Sequence, residues 1–349
     1  MTTARFAIFN GPGQPFTFGE MPLPASCGPG ELQVAISLAT ICGSDLHTVE
    51  GRRQEPTPCV LGHEAVGRVI AAGAGRDPAL VGARITWTLA DSCGQCAPCA
   101  EWNLPQKCER LFKYGHAALT EGAGPHGCYS THVTLRPGTA VFTLPDVVSD
   151  ELAAPANCAL ATMVGATESL PVPCRLAVIQ GAGMLGLYGA ALLRAKGVER
   201  VIVVDTNPSR LDLIPDFGGE PAYLSAAELA PTGGVDAIFE TAGVSSVVPE
   251  GIRLLRPGGH YALIGMVHPN TALELTGEAI VRRCLTIRGY HNYAPRHLEQ
   301  AVKFLREHRD AHPWKRLVSP SFPLKRLDEA FAAARSQRWA RVSVQPQSN

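Results

Sequence analysis

In this chain of 349 residues, 31 lysines and arginines offset 31 aspartates and glutamates, so no net field draws it toward nucleic acid or an anionic membrane. With 46% hydrophobic and 18% charged residues it has a globular composition, and its length suits about two domains with sizeable cores. No run approaches the ~18 apolar residues of a spanning helix, and Met1 to Arg5 lead into no long apolar stretch, so neither a transmembrane helix nor a signal peptide is expected.

As far as about residue 155 the chain is rich in glycine and proline. Short β-branched runs at 32–38, 64–71 and 83–89 are separated by turn formers, which predicts a β-rich domain with irregular loops. Two motifs fall early in it, Cys42-Gly43-Ser44-Asp45-Leu46-His47 and Gly62-His63-Glu64. Cys93, Cys96, Cys99 and Cys108 follow in the spacing C-x2-C-x2-C-x8-C. That spacing lets one lobe wrap four thiolates around a tetrahedral zinc at about 2.3 Å, and a site closed by four protein ligands is structural. Cysteines three apart are badly placed to bridge one another, and thiolate ligands point to a reducing cytoplasm. Pro155-Ala156-Asn157-Cys158 then adds a further thiol. Alone, Cys42 reads as a core thiol and His63 as a satisfied histidine. Together with Cys158 they make a Cys2His set with a fourth position open, the arrangement of catalytic zinc.

From about residue 174 the pattern changes. Residues 175–180 predict a strand, 184–196 a helix and 200–204 a second strand ending in Asp205, with further strands at 237–239, 261–264 and 286–288 and helices between them. Such alternation implies a parallel sheet covered on both faces, an α/β fold. Gly181-Ala182-Gly183-Met184-Leu185-Gly186 joins the first strand to its helix, and Asp205 lies nineteen residues beyond Gly186. In that context the fingerprint is a dinucleotide site: Gly181 makes the tight turn, Gly183 lets backbone approach the pyrophosphate, and Gly186 lets helix pack on strand. The helix N-terminus would meet the phosphates. Asp205 would accept from the adenosine ribose hydroxyls and repel a 2′-phosphate, which favours NAD over NADP. The tail predicts helices at 296–308 and 327–335 around Pro320 and Pro323, then a short strand.

These motifs, in this order over nearly the whole chain, resemble the zinc-dependent medium-chain alcohol dehydrogenases. Leu104 to Cys108, Lys113-Tyr114-Gly115-His116 and Gly289 to Arg296 resemble a bacterial branch associated with phosphonate catabolism. The resemblance implies a GroES-like catalytic domain (1–158 and 292–349), a Rossmann NAD-binding domain (159–291), two zinc ions, a small alcohol or carbonyl substrate and a homodimer or homotetramer. Hydride would pass reversibly between substrate and NAD, with zinc as Lewis acid. Zinc lowers the pKa of bound water from 15.7 to about 7, on the order of 11–12 kcal/mol, which a side-chain base worth about 10²–10⁴-fold does not match.

The resemblance also implies residue roles. Ser44 takes the substrate proton and His47 passes it to solvent; Asp45 orients His63, and Glu64 assists ligand exchange at the metal. Thr162 and Leu185 pack on the nicotinamide, Arg210 lies at the adenosine ribose, and Arg341 reaches the pyrophosphate. Two features depart from the family pattern: Gly43 replaces a basic residue that some members place on the pyrophosphate, and the last lobe interval is eight residues where many have seven. A phosphonate substrate would need cations facing the pocket, with Lys113, His116, His291 and Arg296 as candidates. The competing readings are a zinc-free NADPH-dependent enone or quinone reductase and a non-catalytic zinc-thiolate redox sensor. The metal-ligand set and an acid at position 205 oppose the first, and Ser44 with His47 opposes the second.

Overall fold

The computed structural model describes residues 2–121, 124–267 and 272–348. They form two compact units, residues 1–158 with 294–349, and residues 159–293.

The first unit is built on a seven-stranded sheet in the order Phe322–Pro323, Val342–Gln345, Leu32–Ile41, Glu64–Ala72, Arg84–Trp87 and Val141–Thr143, with His132–Leu135 also paired to Leu32–Ile41. Leu32–Ile41 is nearly all buried, and its run of Leu, Val, Ile and Ala is what a central strand covered on both faces requires. Val34, Ile36, Trp87, Tyr129, Val133, Phe331 and Val344 belong to the core around it. Its antiparallel register with Glu64–Ala72 pairs Thr40 with Glu64. One strand therefore ends just before Cys42 where the other begins just after His63. That register, and not sequence proximity, brings a thiol and an imidazole 21 residues apart to one sheet edge.

The second unit carries a six-stranded, wholly parallel sheet in the order Glu220–Tyr223, Arg200–Asp205, Leu176–Gln180, Val235–Glu240, Leu255–Leu263 and Thr286–Gly289. Numbered by sequence this is 3-2-1-4-5-6, the doubly wound Rossmann order, which reverses between Leu176–Gln180 and Val235–Glu240. Val178, Ile202, Val204, Ile238 and Tyr261 are buried in its core. The turn from Gln180 into the helix Met184–Ala195 opens at this reversal, where such sheets bind nucleotides. A Cβ on Gly186 would stand 2.0 Å from the Gly181 carbonyl oxygen, so only glycine lets the helix close on the turn. Among the described residues no helix is long and apolar enough to cross a membrane.

Candidate metal centre and nucleotide turn

Cys93, Cys96, Cys99 and Cys108 bring their sulfurs within 4.8 Å of one another. Cys96 Sγ lies 3.4 Å from Cys99 Sγ and 3.8 Å from Cys108 Sγ; tetrahedral thiolates about 2.3 Å from zinc stand about 3.8 Å apart. Backbone N–H groups are aimed at the sulfurs: Cys93 and Arg110 donate to Cys108 Sγ, and Gln95 and Cys96 donate to Cys93 Sγ, at 3.2–3.5 Å. The Gln95 and Cys96 donors hold the Cys93 thiol down at about 5, whereas burial and the neighbouring sulfurs push Cys99 up to about 12. Thiols packed this way, with amides supporting the thiolate form, suit a closed tetrahedral metal.

A second cluster joins Cys42, His63, Glu64 and Cys158, again within 4.8 Å, with the two sulfurs 3.9 Å apart. Cys42 precedes the helix Gly43–Val49, and the Asp45 carboxylate accepts the Cys42 N–H at 2.9 Å. Cys158 ends the turn Ala154–Asn157, which Asn157 fixes by donating to the carbonyls of His63 (2.9 Å) and Trp87 (3.1 Å). His63 Nδ1 faces Asp45 Oδ1 at 3.5 Å, both groups buried, which leaves the other ring nitrogen for the thiols. Burial opposes the imidazolium, but Asp45 and the Cys42 thiolate raise His63 to about 10. A hydrogen bond from Cys158 holds Cys42 well below the usual thiol range, and the resulting thiolate holds Cys158 well above it. Two thiols and an imidazole within reach of one another have the chemistry of a metal ligand set, and metal binding would displace their protons.

Glu64 lies within reach of this set but is already engaged. Thr40 Oγ1 donates to it at 2.6 Å, and Arg341 donates through Nε and Nη2 at 2.8 and 2.9 Å. Arg341 Nη2 also lies 3.6 Å from Cys42 Sγ. Burial pushes Glu64 up to about 7 against the pull of Arg341, and the Cys42 thiolate adds to the rise. The guanidinium for which the resemblance implies a pyrophosphate thus also contacts Glu64 and Cys42. With Glu64 so occupied, Cys42, His63 and Cys158 are the three members of the cluster left as candidate ligands.

Tyr129 was not foreseen. Its hydroxyl donates to Asp45 Oδ2 at 3.0 Å, so one carboxylate holds the Cys42 backbone, the Tyr129 hydroxyl and the His63 ring. Outer partners of metal-bound histidines typically carry 10–100-fold in affinity. Asp45→Asn should thus weaken zinc binding by about that factor; competition with a chelator measures it, and unchanged affinity would remove Asp45 from this role. Ser44 and His47, both half-buried, stand three apart in Gly43–Val49 and share a helix face.

In the second unit, a Cβ on Gly183 would meet no protein atom within 4 Å, so packing in the chain does not demand glycine there. Open space over N–H groups at a helix start fits a pyrophosphate. Asp205 accepts from Ala182 N–H and Asn207 N–H, each at 2.8 Å, and its Oδ2 lies 3.6 Å from Arg210 Nη1. The carboxylate thus ties the glycine turn to the end of its neighbouring strand, with acceptor sites to spare. Leu185 is half-buried in the first turn of Met184–Ala195, and Thr162 lies on the buried helix Ala159–Ala166.

Residues 28–146 match the alcohol dehydrogenase GroES-like domain family and residues 185–307 the zinc-binding dehydrogenase family. The chain is 28% identical to a 5-exo-hydroxycamphor dehydrogenase of Pseudomonas putida over 87% of its own length and 88% of the relative's. It is 28% identical to an L-threonine 3-dehydrogenase of Saccharopolyspora erythraea over 97% and 98%. Among solved structures, an alcohol dehydrogenase from Thermotoga maritima superposes with a TM-score of 0.91 at 28% identity, covering 99% of this chain and all of that one (100%).

Proposed function

Because this chain belongs to the zinc-type medium-chain alcohol dehydrogenases, we propose that it oxidises a small alcohol to the aldehyde or ketone, reversibly, with NAD as hydride acceptor. The observation that supports this reading is that Cys42, His63 and Cys158 bring their ligand atoms within 4.8 Å of one another while Glu64 is engaged by Arg341 and Thr40. Cys42, His63 and Cys158 would hold a zinc ion, which would supply Lewis-acid polarisation of the substrate oxygen; Cys93, Cys96, Cys99 and Cys108 would hold a second, structural zinc.

The chain's own residues supply the rest. Asp45, steadied by Tyr129, keeps the His63 ring turned so that one nitrogen faces the ligand set. Ser44 accepts the proton from the substrate hydroxyl and His47 carries it away along the same helix face. Gly181, Gly183 and Gly186 hold the pyrophosphate at the start of Met184–Ala195, and Thr162 and Leu185 pack on the nicotinamide. Asp205 and Arg210 take the adenosine ribose. We further propose a cytoplasmic homodimer or homotetramer, since thiolate ligands persist in a reducing compartment.

A panel of alcohols assayed with NAD and NADP for reduced-nicotinamide absorbance, alongside zinc analysis, tests the reading; no turnover with any alcohol would defeat it. Arg210 partly offsets the Asp205 charge, so discrimination against a 2′-phosphate should be moderate. Asp205→Ser is expected to shift the NAD/NADP ratio of kcat/KM by about tenfold toward NADP, roughly 1.4 kcal/mol. An unmoved ratio would take Asp205 out of cofactor selection.

A further inference from the structure

At the carboxyl end of its sheet the second unit closes three backbone turns on one another. They follow Leu176–Gln180, Val235–Glu240 and Leu255–Leu263, the strands at and beside the reversal where a doubly wound sheet takes a nucleotide. A Cβ on Gly181 would stand 2.8 Å from Thr241 Oγ1 and 3.0 Å from the Ala242 nitrogen. One on Gly243, at φ +75°, would stand 2.8 Å from the Gly265 carbonyl oxygen, and one on Gly265 would stand 2.5 Å from the Gly243 nitrogen. The glycine turn thus packs on 241–242, and 241–243 packs on Gly265, with no room for a side chain at either contact.

Glu240 ends the middle strand and ties these turns together. Its side chain is fully buried, and its two oxygens accept separately, from Gly243 N–H at 2.5 Å and from Gly265 N–H at 3.0 Å. Both donors are neutral amides, and no cation among the described residues pairs with the carboxylate. Burying a carboxylate without a counter-ion is costly. Here its charge is met by N–H dipoles, and what it secures is the shape of two turns. Thr241 adds a further tie: its N–H donates to the Gln180 carbonyl at 2.9 Å, and its hydroxyl lies 3.0 and 3.1 Å from the Gln180 and Gly181 carbonyl oxygens. Just past these bonds Ala242, Val244 and Val267 are exposed, so the outer side of both turns is left open.

We propose that Glu240, acting through Gly243 and Gly265 and assisted by Thr241, is a positioning residue for the dinucleotide: it fixes the two turns that border the glycine turn, and with them the crevice the cofactor enters. The proposal rests on the dehydrogenase reading above and adds a buried residue that acts through backbone. Two other roles predict different signs. A carboxylate acting by its charge would repel a pyrophosphate, so neutralising it would tighten binding. One that only stabilised the fold would, on replacement, lower the unfolding midpoint and leave the affinity of the folded protein unchanged.

The test titrates the zinc-loaded protein with NADH by fluorescence and records the unfolding midpoint, KM and kcat for wild type, Glu240→Gln, Thr241→Val and Asp236→Asn. Glutamine keeps the shape of glutamate but turns an amide N–H toward one of the two backbone N–H groups, so one turn must swing away. Glu240→Gln should weaken NADH about 10-fold or more and raise the NAD KM to match, with kcat within about twofold, the scale of a buried donor left without its acceptor. Thr241→Val keeps size and backbone N–H and should weaken NADH about threefold. Asp236, near the other end of the same strand, accepts Arg175 and Leu176 N–H at 2.8 and 2.9 Å. Asp236→Asn should therefore lower the unfolding midpoint and leave NADH affinity within about twofold, since nucleotides bind at the carboxyl ends of such strands. Unchanged or tighter NADH binding by Glu240→Gln overturns the proposal, as does an equal loss in Asp236→Asn. Should Glu240→Gln fail to fold, Thr241→Val decides: weakened NADH supports the positioning role and unchanged affinity overturns it. Weakened NADH in Glu240→Gln with no alcohol turned over by wild type would overturn the dehydrogenase reading and leave the positioning role standing; wild-type turnover with unaltered NADH affinity in the variant does the reverse.

Discussion

Cys158→Ala is expected to take the zinc content from two equivalents per chain to one and to lower hydride transfer by about 10⁴-fold or more, with the fold intact. Cys158 is the one proposed ligand of the open site outside the sheet-edge motifs, and it ends a turn whose position Asn157 fixes through backbone carbonyls. Its loss removes a metal ligand without opening the core. With three proposed protein ligands, losing one would leave two, too few to retain zinc against buffer; the four-cysteine lobe shares no residue with that site and should keep its metal. Lewis-acid polarisation is worth several kcal/mol, and about 5.5 kcal/mol is already 10⁴ in rate. Metal analysis of the purified variant, its circular dichroism and its reduced-nicotinamide signal report separately on these three points. A variant that kept two zincs and turned over normally would place the chemistry elsewhere.

The reach of the sequence ended where long-range pairing began. The α/β class and the glycine turn were legible because strand, turn and helix signals are local, as is the four-cysteine spacing. The edge strand Glu220–Tyr223 was not, since it is short and carries Pro221, which only an edge or irregular position tolerates. Leu255–Leu263 begins earlier than its apolar run suggests because Arg256-Pro257-Gly258-Gly259 is absorbed at a register shift. Around the metal cluster, no local pattern announced Tyr129 on Asp45, Arg53 and His116 on Glu55, or Asn157 on His63. These are tertiary contacts between ordinary polar residues, visible only once the antiparallel register is known. Arg341 shows the other limit: the role implied by the family resemblance did not disclose that its guanidinium also pairs with the buried Glu64.

Arg341→Met should cost about 3–5 kcal/mol of stability, since removing one partner of a buried ion pair strands the other. Glu64 is fully buried and would be left with the Thr40 hydroxyl as side-chain donor, facing the Cys42 thiolate. At about 2–4 °C per kcal/mol, the unfolding midpoint should fall by roughly 10 °C. The pH dependence carries the sign of the cause. Glu64 already sits at about 7, above its ordinary 4.5, so its protonated form suits the fold and its ionisation opposes it as pH rises through 7. Without Arg341 the carboxyl rises further, so the variant keeps losing stability at pH values where wild type has levelled off, and the gap between them widens from pH 6 to 9. Glu64→Gln combined with Arg341→Met removes both charges and should recover most of the loss, because a buried pair replaced as a unit is often close to neutral. Should the double variant be as unstable as the single one, the loss would belong to packing of the arginine stem, and the ion pair would be a bystander to the metal centre it borders.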